Sequence, residues 1–170
     1  MTKIVRLATA AAVAVATFTA APALAVTAAT TPATARAQVV RPLTLTAKTN
    51  LDFGTVLLSS VAAGPIYTVT LTSAGALSCT AGLTCSTTGI PAIFNATGSN
   101  NQVVFIYTAA SNFTNGTTTL LVTPSAVPSI TLANSGAPGN NFNVGASFPI
   151  TSATTEGVYT GNLNVTVDYN

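Results

Sequence analysis

The residues able to do chemistry in this chain are few. Histidine is absent, cysteine occurs twice, and the acidic side chains are only Asp52, Glu156 and Asp168. Without an imidazole, the Ser-His-Asp and Cys-His nucleophilic systems are out of reach in their usual form. A glycosidase-type pair would have to be drawn from the three carboxylates. Each reads more simply as structure: Asp52 follows Leu51 at a strand start, Glu156 precedes Gly157 in a turn, and Asp168 lies on the outward face of the last strand. The same shortage leaves a metal without a ligand set. No enzyme, cofactor or metal centre is therefore expected. Cys79 and Cys85 enclose Thr80-Ala81-Gly82-Leu83-Thr84. A Cys-x-x-Cys redox motif is shorter, so the pair predicts a structural disulfide in an exported chain. Sequons at Asn95, Asn112, Asn115 and Asn164 are what chance gives in a chain rich in asparagine and threonine.

The elements that must carry these residues are strands. The clearest is the last, Gly157 to Tyr169. Leu163, Val165, Val167 and Tyr169 alternate with Asn162, Asn164, Thr166 and Asp168, the period of two of a half-buried strand. Such a strand needs a partner on its edges or it becomes an aggregation hazard. Earlier, residues 39–47 read as the first firm strand, with Pro42 placing it at an edge or bulge. Residues 51–58 form a short strand with Gly54 at a bulge. Residues 66–72 put Tyr67, Val69 and Leu71 on one face. Residues 91–97 and 102–108 read as a hairpin about Gly98-Ser99-Asn100-Asn101. Residues 118–123, 129–133 and 141–150 complete the set.

Nothing beyond the first residues has a helical period, and turn signals recur at the spacing expected of a sandwich or barrel. The prediction is an all-β domain, an immunoglobulin-like or Greek-key β-sandwich, either self-complete or completed by a donated strand. A closed eight-stranded barrel is the alternative.

The N-terminus reads differently. Lys3 and Arg6 precede the apolar run Leu7–Ala21, and Ala23-Leu24-Ala25 has small residues at cleavage spacing. This is a secretory signal peptide over residues 1–25, too short in its apolar part to span a bilayer; a later cut after Ala37 is the alternative. Residues 26–38 then form a small-residue extension, and 39–170 a single domain. With the leader gone, Arg36, Arg41 and Lys48 balance Asp52, Glu156 and Asp168. No basic patch remains for nucleic acid, and no membrane insertion is expected of the mature chain. Near-zero charge favours self-association.

The ending resembles that of chaperone–usher pilins, which finish in an alternating strand with a penultimate tyrosine and a glycine fourteenth from the end. Here these are Tyr169 and Gly157. The chain is also similar to exported bacterial all-β domains of undefined function, through Pro42-Leu43-Thr44-Leu45, Leu51-Asp52-Phe53-Gly54-Thr55-Val56 and Phe142-Asn143-Val144-Gly145-Ala146. The pilin resemblance implies a sandwich lacking one strand, with an acceptor groove lined by Leu163, Val165, Val167 and Tyr169. It implies a donor segment at Ala33, Ala35, Ala37 and Val39, and like subunits, a periplasmic chaperone and an usher as partners. Passage through the periplasm to the cell surface follows from the same likeness.

Three functions compete on this reading. The first is a fimbrial, pilin-like fibre subunit. The second is a self-complete secreted sandwich serving as a matrix, surface-layer or adhesive component. The third, a hydrolase working without histidine, rests only on the existence of three carboxylates.

Overall fold

The computed structural model describes residues 29–170, and the expected leader and residues 26–28 lie outside them. The chain divides by contacts after Ala37. In the first unit, residues 29–37 carry no regular structure and are exposed.

The second unit is an antiparallel β-sandwich curled toward a half-barrel, without a helix among the described residues. Its strands are β1 (Thr44–Thr49), β2 (Val56–Leu57), β3 (Tyr67–Leu71), β4 (Leu77–Cys79), β5 (Thr84–Cys85) and β6 (Ala92–Thr97). They continue as β7 (Val103–Ala109), β8 (Ser111–Thr114), β9 (Thr119–Ala126), β10 (Ser129–Thr131), β11 (Asn140–Ile150) and β12 (Asn164–Tyr169).

β11 is the spine of the larger sheet. Its first half pairs β6 and its second half β3, along one edge, while β9 takes the other edge. β1 extends this sheet beyond β6, and β4 beyond β3. The smaller sheet runs β10-β7-β12. β9 joins the two layers. Its start pairs β8, which continues β7 after Ala110, and its end pairs β11. The sandwich is thus closed by a shared strand along one side.

Alternating patterns place the core. Tyr67, Val69 and Leu71 are buried on β3, as are Leu120 and Val122 on β9, and Phe142, Val144, Ala146 and Phe148 on β11. Glycine at 145 leaves β11 unbroken; a Cβ there would overlap the Leu71 carbonyl oxygen across the sheet. Cys79 and Cys85 form the disulfide, with Cα atoms 6.2 Å apart. It ties β4 to β5, and so ties the small β2–β5 sheet to the larger one.

Several expectations need correction. The first strand starts at Thr44, not residue 39, since Pro42 has no N–H to give a ladder. The strand expected over 51–58 shrinks to Val56–Leu57 and an Asp52–Ile90 bridge. Gly54 has φ +67° and donates its N–H to Asp52 Oδ1 at 2.8 Å, turning the chain there. The expected hairpin does not form: β6 and β7 belong to different sheets, and 98–102 arches between them. Backbone donors of the arch go elsewhere, Asn100 to Ser135 Oγ and Asn101 to the Leu132 carbonyl. β4, β5 and β8 have no signature in the sequence; they are short and lack a run of alternating apolar residues.

Candidate functional site: an open seam between two edge strands

Opposite the side closed by β9, the sandwich has no shared strand. There β1 pairs only β6 and β12 pairs only β7, so each has one edge without a strand partner among the described residues. The two edges flank a seam. Leu43 and Leu45 on one wall and Leu163, Val165, Val167 and Tyr169 on the other pack onto the same core cluster, yet all six are only half-buried. Behind them Ala92, Ala96, Val104 and Leu132 are sealed. The inward rows of both walls therefore end one layer short of full cover. Each half-buried aliphatic leaves on the order of 1 kcal/mol of burial unrealised.

Beyond the strands the seam widens into a cleft of about 580 Å³. Ala47 and Thr49 to Leu51 form one wall, Thr160 to Leu163 the other, and Ala92, Phe94 and Phe113 the floor. Leu51, Phe113 and Tyr159 also line an adjoining cleft of about 670 Å³ between residues 51–58 and 154–159. Phe148, Leu120 and Val122 are its floor. The apolar floor thus runs on from the edge strands to the far pole.

The predicted acceptor strand is shorter than its alternation suggested. It begins at Asn164; Gly157 lies before it, on the rim of the larger cleft, with φ +140°. The ladder resumes only at a Thr114–Thr160 bridge. From Ala109 to Thr114 the chain takes one residue more than from Thr160 to Asn164, so an extra residue within 110–113 bulges and breaks the pairing. Gly161 sits at this point against Phe113 and the Asn112 carbonyl, where a Cβ has no room.

At the other pole the seam is latched. The Tyr169 hydroxyl donates to the Arg41 carbonyl at 2.8 Å and accepts from Ser99 N–H at 2.8 Å. It packs over Gly98, where any Cβ would overlap it. Its polar partners therefore lie within its own chain. Arg41 N–H in turn donates to Ser99 Oγ at 2.6 Å, and Gln38 Nε2 to Gln102 Oε1. Arg41, Ser99 and Gln102 carry no mark in the sequence, because their roles come from the arch that brings residue 99 beside residues 41 and 169.

The edges differ in accessibility. β1 has a bulge at Lys48, between the Ala47–Phe94 and Thr49–Ile93 pairs; a bulge and a lysine both blunt an edge. β4 and β10, at the opposite ends of the same two sheets, have 3 residues each. β12 has 6, with no proline, glycine or bulge.

The carboxylates do not converge. Asp52 and Glu156 both line the larger cleft, but Asp168 lies opposite Phe105 on the outer face of the smaller sheet. No group of three or more potential metal-ligating side chains occurs among the described residues. The sequon asparagines are structural where they are enclosed. Asn95 is buried, donating to Pro138 O and Asn141 Oδ1. Asn115 caps the β8–β9 turn through Thr117 and Thr118 N–H and donates to Glu156 O. The predicted donor residues Ala33, Ala35 and Ala37 are exposed, and Val39 is 94% exposed.

Fold and seam together define a class: an antiparallel all-β sandwich with one latched pole and one uncovered edge. A family model described as Domain of unknown function (DUF4402) matches residues 43–169, and the chain belongs to that family. Comparison with curated proteins gave no match, and comparison with solved structures gave none.

Proposed function

We propose that this chain is a structural subunit of a bacterial surface fibre, joined to its neighbours by β-strand addition at the seam. The observation that carries the reading is the free edge of β12, set beside rows of half-buried Leu and Val that end in an open cleft. An extended segment laid there would gain main-chain hydrogen bonds from the edge and cover the apolar rows.

The donor is the N-terminal arm of a second copy, with Ala33, Ala35, Ala37 and Val39 facing inward. Residues 29–38, extended, reach roughly 33 Å, more than the roughly 20 Å of a strand the length of β12. The arm joins the domain at the latched pole, where Gln38 and Arg41 are bonded to the β6–β7 arch. To fill its own seam it would have to double back within residues 39–42 and release those bonds. A neighbour's arm enters, at least through Ala37, without that reversal. A contact of this kind is heterologous and does not close, so it propagates as a fibre. A periplasmic chaperone would cover the seam before assembly, and an usher would pass subunits to the surface.

A second reading, a self-complete secreted matrix or adhesive sandwich, is favoured by the Tyr169 latch, which already spans one pole of the seam. The two part on one experiment. The chain lacking residues 26–38 is produced beside the full mature chain, with and without a pilus-type chaperone, and sized. Strand donation predicts a folded truncation that forms no polymer while the full chain does. Polymers from the truncation, or a full chain that stays monomeric at every concentration, support the self-complete sandwich instead.

A further inference from the structure

Accepting the strand-donation reading, on which this rests, the free edge of β12 offers fewer sites than its length. Asn170 N–H donates to Val103 O on β7. Backbone direction alternates along an antiparallel strand, so Asn164, Thr166 and Asp168 also turn their N–H and C=O groups toward β7. Val165, Val167 and Tyr169 turn theirs toward the seam. The opposite strand agrees, since Ile106, across from Val167, sends its N–H away from β12 to Pro128 O.

Of the three seam-facing donors, Tyr169 N–H is already taken. Asp168 Oδ1 accepts it at 2.8 Å. The aspartate belongs to an inward-bonded residue, yet its carboxylate bends round to the free edge and occupies the last position. Val165 and Val167 N–H have no partner among the described residues. An isolated exposed aspartate would be ordinary surface. An aspartate bonded to the terminal donor of the six-residue open edge that no bulge interrupts does something more specific.

We propose that Asp168 is the register stop for the incoming strand. It withholds the Tyr169 N–H, so the added strand pairs only through Val165 and Val167. A slip of two residues toward the latch would place a carbonyl against the Asp168 carboxylate, acceptor against acceptor, and is rejected. Alternation alone cannot do this, because Ala33, Ala35 and Ala37 are identical and a two-residue slip exchanges one for the next. With an arm so uniform, register must be set by the acceptor.

The experiment reads register by cross-linking. Thr166→Cys, on the exposed face of β12, is combined in turn with Thr34→Cys, Arg36→Cys or Gln38→Cys on the outward face of the arm, in the full mature chain. In polymers of the parent, one of the three pairs should account for most intersubunit disulfide. Asp168→Ala should spread cross-linking over two pairs spaced two residues apart, in comparable yield. Asp168→Asn keeps an accepting Oδ1 and should retain the single pair.

Amide exchange in the monomer is the second measurement: Tyr169 N–H should exchange at least tenfold faster in Asp168→Ala than in the parent, with thermal unfolding unchanged. Fibres whose Asp168→Ala form keeps the parent's single pair overturn the register assignment and leave strand donation standing. An unaltered Tyr169 exchange rate does the same. Absence of fibres and of any arm cross-link in the parent overturns strand donation itself.

Discussion

At the scale of single residues, the sharpest dependence is on Tyr169. Its hydroxyl holds the Arg41 carbonyl and the Ser99 N–H together, and removing it leaves both without that partner. Tyr169→Phe should lower unfolding stability by about 1–3 kcal/mol, read as a lower urea midpoint with unchanged slope. The glycines give a contrast that uses no function at all. At Gly145 a Cβ collides with main-chain atoms of Leu71, Thr72 and Ser73, which have no freedom to yield; at Gly116 nothing lies within 4 Å. Gly145→Ala should therefore cost about 3 kcal/mol or more. Gly116→Ala, at φ +89°, should cost only about 1 kcal/mol from backbone strain. Equal midpoint shifts for the two would refute that ordering. Asp168 shows how little of such roles is written locally. In the sequence it is one more outward polar residue, and only the direction of its neighbour's N–H gives it a task.

At the scale of elements, the disulfide has a limited reach. Cys79 and Cys85 close a short loop and anchor the two-stranded β2–β5 sheet to β4. The Cys79→Ala/Cys85→Ala pair should cost about 2 kcal/mol. Its effect should be local first: faster hydrogen exchange over residues 55–60 and 80–86, with β11 still protected. Loss of protection in β11 at the same rate would mean that the small sheet is no separate unit. Legibility follows the same division of elements. β3, β11 and β12 were readable because each turns an apolar row toward the core and a polar row toward solvent, so period two survives in the sequence. The β6–β7 connection was not. Gly98-Ser99-Asn100-Asn101 has turn composition, but composition cannot tell a hairpin from an arch between sheets. That choice is made by distant partners, Leu132, Ser135 and Tyr169. For the seam, alternation named the β12 wall while the β1 wall, Leu43 and Leu45, stayed hidden. Which strand faces which across a sandwich is a property of topology.

At the scale of the whole molecule, the sparse charge has a direct result. Outside the expected leader there are three basic and three acidic side chains, and the seam walls formed by β1 and β12 are lined by Leu, Val and Tyr. Polymerisation by the strand donation proposed above should therefore change little between about 0.1 M and about 1 M salt, followed by light scattering; a steep loss with salt would point to an ionic contact instead. The latch also has a mechanical meaning. Gln38 and Arg41 are the first residues of the domain that tension on the arm would reach, and they are moored to Gln102, Ser99 and Tyr169 before β1 begins. A pull is thereby shared at once between the arch, the terminal strand and the first strand, three points on both layers. The load enters the sandwich through its tied pole, and the open pole is left slack.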